Sequence, residues 1–239
     1  MNNQLATKTL AQIVNQNYRA AAVFEKYALD FCCKGKRSLQ DACQEKKIPV
    51  DAVVREISDV STEQSTPLIN FEKLSLSDLV EYIVSTHHGY TKRELPQIFT
   101  YLNKVCSKHG DQHPELFEMF KCFSELKDEM EMHMRKEELI LFPRIKELEK
   151  TQRSNSTSNI QATISVMEDE HDHAGRLIEQ IREYSNNYTP PETACTTYRL
   201  AFTSLSAFEK DLHQHVHLEN NILFPRALQL FNRYKILSN

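Results

Sequence analysis

Two pairs of residues in this chain have the types and spacing of metal ligands. His133 and Glu137 are four apart, His215 and Glu219 are four apart, and the second pair follows the first by 82 residues. Each pair leads into the same run, Ile-Leu-Phe-Pro-Arg, at 140–144 and again at 222–226. Residues i and i+4 of a helix share a face, so each His and Glu can reach one point in space. A supersecondary unit has been used twice, and its ligand chemistry was repeated with it.

The apolar stripes around the pairs argue for an inward orientation. Leu126, Met130, His133, Glu137, Ile140 and Arg144 form one stripe, and Leu205, Phe208, Leu212, His215, Glu219 and Ile222 form the other. A second His precedes each pair. His171 lies on the stripe Ile164, Met167, His171, Ala174, Ile178 and Ile181, and its counterpart 83 residues earlier is His88, although periodicity alone does not separate His88 from His87. Four imidazoles and two carboxylates inside an apolar bundle are costly without compensation. Two metal ions, bridged by Glu137 and Glu219 and capped by imidazoles, would compensate and leave open positions for a small molecule, with the ions roughly 3.5–4 Å apart. The rival reading makes each pair a surface ion pair contributing about 0.2–0.5 kcal/mol to its helix. Of the other histidines, His113, His173, His213 and His217 fall off the stripes and are expected in solvent, and His109 lies near a helix end.

Long helices must position these groups. The chain has 239 residues and 4 glycines, too few turns for an all-β fold. Helical patterns run over 75–108, 114–150, 163–186 and 191–234, which is an all-α four-helix bundle. Ser165 to Glu168 and Thr189 to Glu192 have the form of capping boxes, and Pro114 and Pro190 suit first turns. Pro96, Pro143 and Pro225 fall within the patterns, where bends or breaks are expected. A polar stretch from Thr151 to Asn159 separates the two halves. Before the bundle (71–239), residues 1–57 form a small helical domain and 58–70 a linker containing Pro67.

A net charge of −4 with no dense basic stripe excludes nucleic acid as an expected partner. No apolar run reaches the roughly 18 residues of a membrane span, and the first thirty residues hold no export-type apolar core, so a cytoplasmic protein outside the membrane is expected. The six cysteines are then reduced thiols. Cys43, Cys106, Cys122 and Cys195 read as small hydrophobes, whereas the vicinal Cys32 and Cys33 are candidates for thiol chemistry, with Lys34 and Lys36 favouring a thiolate.

These motifs resemble the bacterial repair-of-iron-centres family, di-iron proteins with a hemerythrin-like C-terminal domain. The resemblance rests on Thr-His-His-Gly, Met-His-Met-Arg-Lys-Glu-Glu, Glu-Asp-Glu-His-Asp-His-Ala-Gly and His-Val-His-Leu-Glu-Asn-Asn, and on Tyr-Ala-Leu-Asp-Phe-Cys-Cys-Lys-Gly-Lys near the start. It implies a hemerythrin-like four-helix bundle behind a small N-terminal domain, with two iron ions held by His88, His133, Glu137, His171, His215 and Glu219. It also places the acidic Glu129 and Glu170 next to the cluster as groups that orient ligands or carry protons. Lys34 stands where the family usually has the first of two glycines, and Gly89 where an acidic residue is common.

The implied function is repair of iron-sulfur clusters damaged by nitrosative or oxidative stress, through nitric oxide binding or iron donation. Damaged iron-sulfur proteins and nitric oxide or dioxygen are the implied partners, a homodimer the implied assembly, and redox activity at the di-iron centre the implied enzymology. The rival functions are a hemerythrin-like oxygen or nitric oxide sensor or store, and a nitric oxide reductase.

Overall fold

The computed structural model describes residues 2–62, 69–152 and 160–237, so Pro67 and most of the polar stretch expected between the repeat halves lie outside the described residues. The described residues are mainly helical, with one isolated antiparallel bridge between Thr9 and Ser38 and no strand among them. It divides into two compact units. One comprises Met1–Ser75 with His213–Arg226, the other Leu76–Leu212 with Ala227–Asn239.

In the first unit, α1 (Asn2–Ala6), α2 (Leu10–Gln16), α3 (Ala20–Lys26), α4 (Leu39–Glu45) and α5 (Val50–Thr62) are short and amphipathic. Thr9 and Gln12 form a capping box that starts α2, and Ser38 accepts from the Asp41 amide to start α4. On α5 the buried Val53, Val54 and Ile57 repeat at helical spacing and close a core with Leu10, Val14, Phe24, Phe31 and Leu39. Each of these side chains contributes about 1.5–3 kcal/mol by leaving water. α5 runs on through the first residues of the expected linker and ends at Thr62.

The second unit carries the bundle. Its helices are α6 (Leu76–Ile83) continuing into α7 (Gly89–His109), α8 (Glu115–Lys136) continuing into α9 (Phe142–Thr151), α10 (Ile160–Tyr184), α11 (Thr196–Leu218, as far as Leu212) and α12 (Phe224–Leu237, from Ala227). α8 packs along α10 and α7, and α6 lies against α9. There the Glu149 carboxylate accepts from the amides of Leu76 (2.7 Å) and Ser77 (2.9 Å), capping α6 from another helix.

The helix starts differ from the sequence expectation. Ser165 lies inside α10, which is already helical at Ile160, and α11 begins at Thr196, beyond Thr189, Pro190 and Glu192. Both capping patterns are real as strings, but in the first case apolar residues upstream extend the helix. In the second, Asn186, Asn187 and Tyr188 all adopt left-handed φ, at 49°, 54° and 58°, and the chain needs the following residues to turn back. With so few glycines, helix ends here use ordinary residues in that conformation, as Gln152 (φ 54°) does at the end of α9.

Gly35 is required by close approach. A Cβ there would stand 2.4 Å from the Phe31 carbonyl oxygen, 2.9 Å from Asn221 Oδ1 and 3.0 Å from Ala11 Cβ, and the Gly35 carbonyl accepts from the Ala11 amide at 2.9 Å. Gly35→Ala should therefore lower stability by about 1–3 kcal/mol, the cost of overpacking. Denaturant unfolding would measure it, and an unchanged midpoint would contradict the tight packing.

Candidate metal centre

Three helix joints position the candidate ligands, and all three are widened turns. A π-helical segment spans Val84–His88 between α6 and α7, another Glu137–Leu141 between α8 and α9, and a third Glu219–Leu223 between α11 and α12. His88, Glu137 and Glu219 each sit at one end of such a segment. Proline accounts for two of them. Pro143 and Pro225 lack an amide proton and their rings crowd the carbonyl four residues back, so the backbone opens by one residue instead of breaking. Pro96, in contrast, lies inside an uninterrupted α7. Nothing comparable follows Val84–His88, and its π turn has no such explanation.

The extra residue shifts the phase of everything downstream. After Glu137 the buried positions become Leu141, Phe142, Ile145 and Leu148, while Ile140, expected on the inward stripe, is 41% exposed. The first stripe thus holds only as far as Glu137. In the second copy Ile222 remains buried.

Within the second unit, His88, His133, Glu137 and His171 converge. None is more than 2% exposed. Glu137 Oε2 lies 3.3 Å from His88 Nε2 and 3.3 Å from His133 Nε2, and His133 Nε2 lies 3.0 Å from His171 Nε2. The ligand atoms of His133, Glu137 and His171 all fall within 4.8 Å of one another. His87, the alternative to His88, is also buried but turns to Asp211, with Nδ1 to Oδ1 at 3.0 Å.

The other ring nitrogens decide what this cluster can do. His88 Nδ1 donates to Glu138 Oε1 at 2.7 Å, and His133 Nδ1 donates to Glu170 Oε2 at 2.9 Å. An ionised carboxylate only accepts, so both protons sit on Nδ1 and, in the neutral rings, both Nε2 lone pairs point at the Glu137 carboxylate. Lone pairs facing a carboxylate repel unless a cation lies between them. One metal ion would satisfy His133 Nε2, His171 Nε2 and Glu137 together, and this donor set with carboxylates behind the imidazoles is that of a metal site.

Both outer carboxylates are held ionised. The hydrogen bond from His133, joined by one from Lys136, outweighs burial and lowers Glu170 to about 2. Burial opposes ionisation of Glu138, yet hydrogen bonds from Lys92 and His88 overcome it and leave its pKa below the usual value. Glu170 was among the acidic residues singled out in the sequence. Glu129 instead pairs with His173 at 3.2 Å on the surface. Glu138 was not anticipated, and its one signal was adjacency to Glu137.

In the first unit, His215 Nε2 and Glu219 Oε1 are 3.0 Å apart and both are fully buried. Two residues out of phase with them, His217 is also fully buried, where sequence placed it in solvent. Its Nδ1 lies 3.3 Å from the Phe31 carbonyl and its Nε2 2.9 Å from Asn15 Oδ1, and burial drives its pKa down to about 4, so the ring is neutral. His213 is likewise turned inward, 2.6 Å from Glu25. Neither departure was visible in the stripe pattern, because the surface that covers them comes from the other end of the chain.

The Cys32–Cys33 pair lies on a loop organised by Asp30, whose Oδ1 accepts from the amides of Cys32 (3.2 Å), Cys33 (3.0 Å) and Lys34 (3.3 Å). The sulfurs are 3.8 Å apart, with Cys32 buried and Cys33 half-buried. The expectation that Lys34 and Lys36 favour a thiolate fails for Cys32. Its hydrogen bond with Cys33, then burial, then the charge of Asp30 push that thiol well above its ordinary pKa. Cys43, Cys106 and Cys122 are buried, as small hydrophobes would be, and Cys195 is half-buried with His109 Nε2 at 3.3 Å.

Comparison with known proteins agrees with this architecture. Residues 80–227 match the hemerythrin HHE cation binding domain, and residues 6–61 match a domain of unknown function, ScdA_N. The iron-sulfur cluster repair protein YtfE of Dickeya chrysanthemi (strain Ech1591) is 37% identical over 211 residues, covering 88% of this chain and 92% of its own. The protein of the same name from Enterobacter sp. (strain 638) is 36% identical over 219 residues, covering 92% and 96%. That from Escherichia coli O81 (strain ED1a) is 37% identical over 210 residues, covering 88% and 91%. With its cation-binding bundle and its N-terminal Cys-Cys domain both matched, the chain belongs to the hemerythrin-like, repair-of-iron-centres family of iron-sulfur cluster repair proteins.

Proposed function

We propose that this protein restores iron-sulfur clusters damaged by nitrosative or oxidative stress, and that it does so with two iron ions held by His88, His133, Glu137, His171, His215 and Glu219. The observation that carries the proposal is the direction of the imidazole protons. With Nδ1 of His88 and His133 fixed by Glu138 and Glu170, both Nε2 atoms are presented to Glu137 as ligands for a cation. His215 and Glu219 join the set by equivalence, since they occupy the same places before the same π turn and the same Phe-Pro-Arg sequence. Imidazole and carboxylate donors also suit zinc or manganese, and the choice of iron rests on the family.

The irons would supply reversible binding of nitric oxide or a labile iron for a damaged acceptor. The chain's own residues set the conditions. Apolar neighbours such as Phe142, whose ring stacks on His88 at 5.7 Å, keep water from one side. The relays Lys92–Glu138–His88 and Lys136–Glu170–His133 hold protons at Nδ1 and offer a route for charge to reach the surface. Cys32 and Cys33 are the thiols for contact with an acceptor. In this reading 1–57 form the thiol domain, 58–70 the linker and 71–239 the iron domain, and the protein works in the cytoplasm on iron-sulfur proteins.

Protein purified without added metal should contain about two irons per chain, the count of a two-metal site, with a visible absorption that the metal-free variants lack. His133→Ala and Glu137→Ala should lose the metal and, with it, reactivation of a nitric oxide-damaged iron-sulfur enzyme. Reactivation by the metal-free variants would overturn the function, and zinc in place of iron would overturn the cofactor. The double variant Cys32→Ala, Cys33→Ala should keep its iron. Glu138→Gln and Glu170→Gln, measured by chelator competition, should weaken iron binding by about 10–100-fold, because each removes the negative charge that holds the Nδ1 proton and raises the basicity of a ligand ring; affinities equal to wild type would mean the outer carboxylates do not tune the ligands.

A further inference from the structure

The segment that carries His215 and Glu219 has a second face with its own pair at i and i+4. His217 and Asn221 are displaced from the ligand pair by two residues, which on a helix is about 200° around the axis. Within the first unit this opposite face is occupied by the thiol loop. Asn221 Nδ2 donates to the Cys32 carbonyl at 2.9 Å and lies 3.4 Å from the Phe31 carbonyl, and His217 Nδ1 lies 3.3 Å from that same Phe31 oxygen. The Phe31 ring packs on the His217 and His213 rings, with centroids 5.5 and 6.1 Å apart. Asn221 Oδ1 faces Gly35, where no Cβ can be accommodated.

The internal repeat shows that this face is specialised. The residues equivalent to His217 and Asn221 in the first copy are Arg135 and Leu139, which are exposed, Leu139 to 76%. The ligand face is the same in the two copies, and the opposite face is not. One copy left it to solvent, and the other acquired two hydrogen-bonding side chains that grip the carbonyls of residues 31 and 32.

We propose that Asn221 is a positioning residue that ties the Cys32–Cys33 loop to the helix segment bearing His215 and Glu219, so that thiol reactivity depends on what is bound at the ligand face. Asn221 lies in the same π turn, Glu219–Leu223, that begins with the ligand Glu219. A cation that fixes Glu219 fixes that turn, and the turn fixes the donor that holds the Cys32 carbonyl. By linkage the effect is reciprocal, and a reagent that displaces the loop weakens the metal by the same factor. The coupling to metal rests on the metal reading above, whereas the positioning of the loop does not.

The test is the alkylation rate of Cys32 and Cys33, followed by peptide mass analysis of the full chain, metal-loaded and metal-free, for wild type, Asn221→Ala and Asn221→Asp. The aspartate keeps the shape and loses the donor. Loading should slow alkylation in wild type by about fivefold or more, the lower range of a site-to-site coupling. Both variants, brought to the same metal occupancy as wild type, should alkylate equally fast loaded or metal-free. In the metal-free proteins both variants should react faster than wild type. A loading effect that persists in the variants, or metal-free rates equal to wild type, would overturn the proposal. A wild type that binds no metal would overturn the metal reading instead, and the metal-free comparison would still decide the role of Asn221.

Discussion

The rest of the structure depends on one electrostatic constraint, a carboxylate and several imidazole nitrogens converging in the buried interior. Glu137 is completely buried and faces His88 and His133 at 3.3 Å through a single oxygen. An ionised carboxylate there is costly without a compensating positive charge. The outer residues fit a cation in that place, as the matched cation binding domain has. By accepting hydrogen bonds from the Nδ1 protons, Glu138 and Glu170 leave the inner nitrogens of the neutral rings as electron-pair donors, and Lys92 and Lys136 keep those outer carboxylates ionised where they approach solvent. Each arm is therefore a Lys–Glu–His chain from the surface inwards, built on different helices in the two cases but with the same order of groups.

Backbone irregularity belongs to the same constraint. A regular helix carries its inward stripe onward at 3.6 residues per turn, and a carboxylate placed on it is followed by further inward positions at fixed spacing. The π turns after Glu137 and Glu219 insert one residue at the ligand itself. That lets the helix below the ligands pack a new set of apolar residues, in the first copy Leu141, Phe142, Ile145 and Leu148. The proline two residues into the next helix favours the irregularity, because the regular hydrogen bond it would need has no donor, although Pro96 shows that a proline alone does not impose it.

Much of this was legible in the sequence because repetition and period are long-range signals that survive local error. The bundle, the two pairs and the His171 stripe follow from spacing alone, and the preference for His88 over His87 came from the family resemblance. What was not legible depended on surfaces brought in from elsewhere. His217 lies off the bundle stripe and looked solvated, yet the loop around Phe31 covers it. Ile140 looked inward because a period of 3.6 was carried across the π turn. Glu138 had no pattern to mark it, since its partner His88 is 50 residues away and Lys92 comes from the same distant helix. The capping strings at Ser165 and Thr189 were overruled by apolar residues upstream of one and by the left-handed turn at 186–188 before the other.

The two copies of the repeat also separate the parts of the design that are fixed from those that are free. His, Glu, the π turn and Phe-Pro-Arg are common to both, so they form the minimum needed to place one carboxylate and one imidazole inside a helix pair. The position after each Glu has diverged, Glu138 in one copy and Asn220 in the other, and so has the opposite face. A carboxylate at 138 can reach back to a ligand ring, whereas an amide at 220 adds no charge to an already buried segment. Divergence at these places follows what each copy touches. The first copy faces solvent and uses surface lysines to steady its charge, and the second supports the thiol loop and uses neutral donors, His217 with its proton affinity suppressed and Asn221, which has none to lose.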